Sequence, residues 1–310
     1  MCFIRINCNF AAKSILIQTG MKEQLIIAAI VCFCFGACKN EKLAIAGSGW
    51  DEIAIINKNT GTIEWRHALD PGDECNKIEV TPEGHILFAY SKGAKLINRN
   101  HTTIWDYKAN ENDEIHSASR LKDGSFMIGI CGEPARIVEL DASGKQIKEI
   151  TFLTLTFDIH NQFRQITKAS DGTYLIPMLE KQKVMHLSSE GNNKGAYNAA
   201  SGAFSVKVLN NNNLLVSGGN ASRFIEIDPD FPYRANMLFT TEINGGVLRY
   251  VAEIILYKNG NKLIANSNMY SNDKSPQPFL LEIDAENNVV WSLPYNRDIK
   301  NITAVYSFFE

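Results

Sequence analysis

Five stretches of this chain share one pattern: "VTPEGHILFAY", "RLKDGSFMIGI", "KASDGTYLIPM", "LNNNNLLVSGG" and "LYKNGNKLIAN". Each is a polar turn followed by a short, apolar, β-rich run. The turn centres fall at Gly84, Gly124, Gly172, Asn212 and Gly260, at intervals of 40, 48, 40 and 48 residues. A unit of this length cannot bury its own apolar face. It must stack against copies of itself, so the period restricts the chain to solenoids, propellers and arrays.

The rest of each unit selects among these. A third run follows the second: "AKLINRN", "ARIVELD", "KVMHLSS", "SRFIEID" and "FLLEIDA". A fourth follows in "TTIWDY", "KQIKEI" and "NNVVWSL". All are rich in β-branched and aromatic residues and are joined by Asn, Asp, Ser and Gly turns. Four antiparallel strands per unit make a propeller blade. The ends supply the missing blade. Residues 43–68 hold strands two to four of a unit without a first, and "NITAVYSFFE" at 301–310 reads as a lone first strand. The expectation is therefore an all-β, six-bladed β-propeller of four-stranded antiparallel blades, closed by the C-terminal strand in a 1+3 arrangement. The two 48-residue intervals carry loop insertions at about 152–162 and 267–278.

The first forty residues belong to something else. From Met21 the chain reads "MKEQLIIAAIVCFCFGACKN": Lys22, then an apolar run from Leu25 to Phe35 too short to span a bilayer, then Phe35-Gly36-Ala37-Cys38. This resembles the lipobox of bacterial lipoproteins, although Phe35 stands where Leu is usual. The resemblance implies cleavage before Cys38, lipid on Cys38, and attachment to the cell envelope, at the outer membrane facing the periplasm or the exterior. Residues 1–37 are then a leader, 1–20 a misassigned start and 21–37 the signal peptide. Residues 38–42 are a lipidated tether and 43–310 the propeller. Of seven cysteines, only Cys75 and Cys131 remain in the domain, too few for a disulfide framework. A net charge of -3 gives no basic surface for nucleic acid, which is set aside as a partner.

"IINKNTGTIEW" (55–65) resembles the repeat of pyrroloquinoline-quinone (PQQ) type propellers. It keeps Thr60, Gly61 and Trp65, with Asn57 and Ile55 in place of the usual Asp and Ala. Residues 115–130 are similar to repeats of bacterial envelope propellers, including the arylsulfotransferase-like group. PQQ dehydrogenases are larger and carry an adjacent cysteine pair that this chain lacks, so PQQ is not expected and no cofactor is predicted. The tryptophans at 65, 105 and 291 are assigned to docking each blade on the next.

Propeller ligand sites favour the channel mouth, formed by the loops before each first strand and between the second and third strands. Eight residues before each turn centre lie Asn76, His116, Arg164, Phe204 and Ala252, at the inner end of the first strand. The acidic pairs Asp73-Glu74 and Asp113-Glu114 precede two of these strands, where oxygen ligands could hold a hard cation, although no metal site is assigned. Lys95, Arg136, Lys183 and Arg223 are placed just before four consecutive third strands. His116 is the candidate acid or base, with His160 of "TFDIHNQF" next. The chain has no His-Glu-x-x-His, Gly-x-Ser-x-Gly or phosphate loop. No nucleophile, base and orienting group assemble from the sequence. The expected function is therefore non-catalytic: a small ligand, glycan or protein partner bound at the channel face. The alternative is a small propeller enzyme, a hydrolase, lyase or arylsulfotransferase-like transferase, using His116 with Arg136 and Arg164.

Overall fold

The repeated turns explain why the sequence folds in units. At Gly84, Gly124, Gly172 and Gly260 φ lies between 82° and 90°, and Asn212 takes 67°. That left-handed conformation is open to Gly and, at modest cost, to Asn. In each turn the centre donates its amide three residues back, as Gly84 does to Thr81 at 2.8 Å. The amide of Thr81 donates to the His85 carbonyl at 2.8 Å, closing the hairpin. Where the turn reads Asp-Gly-Ser or Asp-Gly-Thr, the aspartate caps it: Asp123 accepts from Ser125 N at 3.0 Å and Asp171 from Thr173 N at 3.0 Å.

A computed structural model describes residues 40–232, 237–268 and 277–310. The leader, Cys38 and the middle of the second insertion lie outside the described residues. In chain order the strands are β1 (Glu41–Ala46), β2 (Glu52–Asn57) and β3 (Ile63–Ala68). Blade 2 comprises β4 (Cys75–Val80), β5 (Ile86–Tyr90), β6 (Gly93–Ile97) and β7 (Thr103–Lys108). Blade 3 comprises β8 (Glu114–Arg120), β9 (Phe126–Cys131), β10 (Ala135–Leu140) and β11 (Gln146–Phe152). Blade 4 has β12 (Thr167–Lys168), β13 (Tyr174–Met178), β14 (Lys183–Leu187) and β15 (Asn193–Asn198). Blade 5 has β16 (Ala203–Val208), β17 (Leu214–Gly218), β18 (Arg223–Ile227) and β19 (Leu238–Thr240). Blade 6 has β20 (Tyr250–Leu256), β21 (Lys262–Ser267), β22 (Leu280–Ile283) and β23 (Val289–Ser292). The last strand, β24 (Ala304–Phe309), pairs antiparallel with β1, Glu41 facing Phe309 and Ala46 facing Ala304. Blade 1 is thus β24-β1-β2-β3, and the fold is a six-bladed β-propeller with the expected 1+3 closure.

Three details differ from the sequence reading. Strand β1 begins at Glu41, two residues before Leu43. Lys95 and Arg136 lie inside third strands rather than ahead of them, whereas Lys183 and Arg223 open theirs. The first strand of blade 4 shrinks to two residues. Extending its register sets Pro177 opposite Gln165, and proline has no amide for the ladder. Gln165 instead donates its amide to Phe204 of the next blade at 3.0 Å and bridges Ser205 in parallel.

The tryptophans do dock the blades. Trp65 on β3 packs against the cluster holding Ile78 and Phe88 of blade 2 and donates Nε1 to the Arg99 carbonyl at 2.9 Å. Trp105 on β7 meets Phe126 of blade 3 edge-on, with centroids 5.0 Å apart. Trp291 on β23 packs on the cluster shared by blades 6 and 1. Cys75 and Cys131 are free, buried in two different clusters, and burial pushes both thiols up to about 12.

The axis of the ring is plugged by charge. Glu253, fully buried, accepts from Lys77 Nζ at 2.7 Å, Gln165 Nε2 at 3.0 Å, the Val305 amide at 3.1 Å and Lys207 Nζ at 3.2 Å. Blades 1, 2, 4, 5 and 6 thereby meet on one carboxylate.

Candidate functional site

Inner strands line a propeller's axis, but a regular strand would alternate its side chains between axis and blade core. Here β4, β8, β16 and β20 each carry a register shift at the mouth end, between Cys75 and Lys77, Ile115 and Ser117, Ala203 and Val206, and Val251 and Ile254. A bulge re-aims the residue it displaces. Asn76 and His116 are the displaced residues of the first two, and both are fully buried.

His116 and His160 converge on one oxygen. Glu114 Oε2 lies 2.8 Å from His116 Nε2 and 2.8 Å from His160 Nδ1. The rings meet edge to face with centroids 5.3 Å apart. Each opposite nitrogen faces a group that can only donate: Asn76 Nδ2 lies 3.1 Å from His116 Nδ1, and Arg164 Nη2 lies 3.1 Å from His160 Nε2. Both imidazoles are therefore neutral in this arrangement, each giving its single N–H to Glu114. Burial, then the Arg164 charge, pulls the His116 pKa down to about 4. The Glu114 contact raises that of His160, opposed by burial and Arg164. For His160 the geometry prevails, because a proton on Nε2 would face the guanidinium N–H. The hydrogen bonds from His116 and His160 hold the Glu114 carboxyl far below its ordinary value.

The cluster is tied into the ring. Asn76 Nδ2 also donates to Glu74 Oε1 at 2.8 Å, and Asn76 Oδ1 accepts from Ser48 Oγ at 2.9 Å and Thr303 Oγ1 at 3.1 Å. Arg164 Nη1 donates to the carbonyls of His160 at 2.5 Å and Phe163 at 3.0 Å. His160 arrives on a 3₁₀ turn, Ile159–Asn161, within the first insertion, and Asp158 accepts from its amide at 3.1 Å. Beside the cluster opens a cavity of about 410 Å³. It is lined by Ser48 and Thr303 from the ring seam, His160 and Asn161 from the first insertion, Arg164 just ahead of blade 4, and Asn220, Phe204 and Tyr250.

The structure brings Glu74, Asn76, Glu114, His116 and Arg164 together and separates the other sequence candidates from them. The adjacent acids do not act as pairs. Asp73 turns back to accept from Ser91 Oγ at 3.1 Å and pairs with Lys92 at 3.3 Å. Asp113 pairs with Arg136 and accepts from Asn110 at 2.8 Å. Successive residues of an extended chain point to opposite sides, so one acid of each pair faces the axis and the other the rim. Lys95 lies 3.8 Å from Asp106 and over the Tyr90 ring, Lys183 is exposed, and Arg223 donates to the Ala221 carbonyl at 3.0 Å beside a separate cavity of about 290 Å³. A carboxylate, an imidazole and an arginine do meet within hydrogen-bond reach, but at His160, which lines the cavity, and not at His116 behind it. Sequence reasoning missed the plug. Three of its members, Lys77, Gln165 and Glu253, stand seven residues before their turn centres, one step along the register that located Asn76 and His116, and Lys207 stands five before Asn212.

Site and ring together define a closed six-bladed propeller whose polar groups gather at one end of a plugged axis. The chain belongs to the Mal s 1 allergenic protein-like family, whose profile matches residues 49–275. It is similar to a solved protein of unknown function from Bacteroides caccae, at 33% identity over 86% of this chain and 98% of that one, with a TM-score of 0.83. More distant likenesses show the fold alone. Virginiamycin B lyase from Staphylococcus aureus is 13% identical over 80% of this chain and 79% of that one, with a TM-score of 0.55. A chain of a nidogen/laminin complex is 11% identical over 86% and 98%, with a TM-score of 0.60. No curated protein matches the chain.

Proposed function

We propose that this protein is a non-catalytic binding propeller of the cell envelope, which takes a small polar ligand of about disaccharide size at the channel mouth. The observation that carries the reading is the 410 Å³ cavity. It lies within the range of small-ligand sites, about 300–1,000 Å³. Asn161 and Asn220 at its rim offer amide donors and acceptors, while Phe204 and Tyr250 give it an apolar wall. The enzyme reading is supported by His160 between Glu114 and Arg164. Yet both nitrogens of each histidine already face protein groups, Glu114 on one side and Asn76 or Arg164 on the other.

The experiment is a thermal-shift screen of residues 40–310, which contain the twenty-four strands and the core clusters of the described residues, against mono- and disaccharides. A ligand present at a hundred times its Kd stabilises by about 2.7 kcal/mol. The shift is expected to vanish in Asn161→Ala and Asn220→Ala. A library without a hit, or shifts that survive both substitutions, refutes the reading.

Attachment is proposed through lipid on Cys38. Strand β1 is the second strand of its blade and starts on the face opposite the mouth. A tether this short, at about 3.3–3.6 Å per residue, would keep the turns at Gly84 and Gly124 toward the bilayer and the mouth away from it. Cys38→Ser should move the protein from the membrane to the soluble fraction; retention in the membrane would refute the anchor. No helix among the described residues is long and apolar enough to cross a membrane.

A further inference from the structure

We infer that the mouth holds a divalent transition-metal site made by Glu74, His116 and His160. The site stands whether or not the cavity takes a saccharide. Glu74 Oε1 lies 3.9 Å from His116 Nδ1 and 3.8 Å from His160 Nε2, and all three atoms fall within 4.8 Å of one another. Zinc binds imidazole and carboxylate at about 2.0–2.2 Å in tetrahedral geometry. Tetrahedral ligation at that length sets the ligand atoms about 3.4 Å apart, so the three must draw together while Asn76 Nδ2 and Arg164 Nη2 withdraw from the lone pairs.

Three further features favour a cation. The first is orientation. Each histidine spends its N–H on Glu114, so each turns a lone pair toward Glu74, and a carboxylate behind a ligating imidazole is the arrangement that fixes tautomer and raises ligand basicity. The second is charge. With Asp73 and Asp113 paired to Lys92 and Arg136, the cluster retains two carboxylates, two neutral imidazoles and the single guanidinium of Arg164, an excess of one negative charge. The third is what occupies the lone pairs now. Asn76 Nδ2 and Arg164 Nη2 donate to them, and Arg164 keeps two carbonyl partners on Nη1 if Nη2 gives way. Two imidazoles and one carboxylate suit zinc or cobalt over calcium or magnesium, which prefer all-oxygen shells. His116 and Glu74 lie toward the ring and His160 lines the cavity. The open coordination positions therefore face the cavity, for water or a ligand oxygen.

The test is calorimetric titration of chelator-treated residues 40–310 with Zn²⁺, paired with the visible ligand-field spectrum on adding Co²⁺. One equivalent should bind, and Co²⁺ should give the absorption of a low-coordinate nitrogen–oxygen site. His160→Ala and Glu74→Gln, at partly exposed positions, should each weaken binding at least tenfold while the melting curve without metal stays cooperative. Arg164→Gln removes the competing cation and should tighten binding about tenfold. His101→Ala tests the other histidine pair, where His67 Nδ1 and His101 Nδ1 lie 3.0 Å apart, and should change nothing. The inference is overturned by the absence of stoichiometric Zn²⁺ binding, by affinity unmoved in His160→Ala and Glu74→Gln, or by loss of binding in His101→Ala. An unchanged affinity in Arg164→Gln overturns the role of His160 Nε2.

Discussion

Replacing Glu253 by Gln should lower stability far more than its isosteric shape suggests. The carboxylate has no exposed surface and accepts from two ammonium groups, an amide side chain and the backbone of β24. Burial works to raise its pKa, and Lys77 and Lys207 hold it below the ordinary value nonetheless. In Glu253→Gln the positive charge of Lys77, itself buried, keeps only Glu79 at 3.4 Å. Removing one partner of a buried pair costs about 3–5 kcal/mol. Unfolding entropy near 60 °C is about 2.1 cal/mol/K per residue, or roughly 0.57 kcal/mol/K for the ring, so Tm should fall by about 5–9 °C. Lys207→Met is the informative counterpart. The Lys207 side chain is 25% exposed, and burial followed by the Lys77 charge lowers its pKa, so its charge is weakly favoured where it stands. Its loss should cost less than about 1 kcal/mol, in keeping with a partly solvated pair. Calorimetric or circular-dichroism melts at neutral pH measure both. The reasoning fails if Glu253→Gln melts within about 2 °C of wild type, or if Lys207→Met is as damaging.

Deleting residues 301–310 removes β24 and leaves the β1 edge unpaired, so the truncated chain should show no cooperative melt; one that melts near wild type refutes the closure. In Gly47→Ala the new Cβ would lie 2.6 Å from the Asn301 carbonyl oxygen, backbone against backbone at the seam. A loss of more than about 2 kcal/mol in denaturant titration is expected, within the range for overpacking, and a neutral result would mean the seam yields freely. Native protein at pH 8 should leave Cys75 and Cys131 unreacted with an aromatic disulfide and release both in denaturant; rapid native labelling would contradict their burial.

The ring was legible because its turns repeat. Four glycines and one asparagine at a common register require the same left-handed backbone, and that requirement is written in residue identity. Strands β15 and β19 were not legible: they are outer edges, largely exposed, with no apolar face to pattern "NKGAYN". The site was half legible. Counting eight back from each turn reached Asn76, His116 and Arg164 because the register is periodic. The pairing of Glu74 and Glu114 with two histidines was hidden, because the acids come from different blades and one histidine comes from an insertion outside the repeat. The repeated cations at Lys95, Arg136, Lys183 and Arg223 pointed toward the mouth by register alone; Lys95, Arg136 and Arg223 turn to local partners and Lys183 is exposed.

The seam has a consequence for the order in which a binding-competent molecule comes into being. Ser48 and Thr303 both line the cavity and both donate to Asn76, and the Ser48 amide donates to Thr303 Oγ1 at 3.3 Å across 255 residues of chain. The cavity wall is therefore incomplete until the last strand has seated beside the first. A ligand that reached both Ser48 and Thr303 would bridge the two sides of the latch and favour its closure. A chain frayed at its C-terminus would open the Thr303 side of the cavity first, so a ligand of the kind proposed for the mouth would report whether the ring is shut.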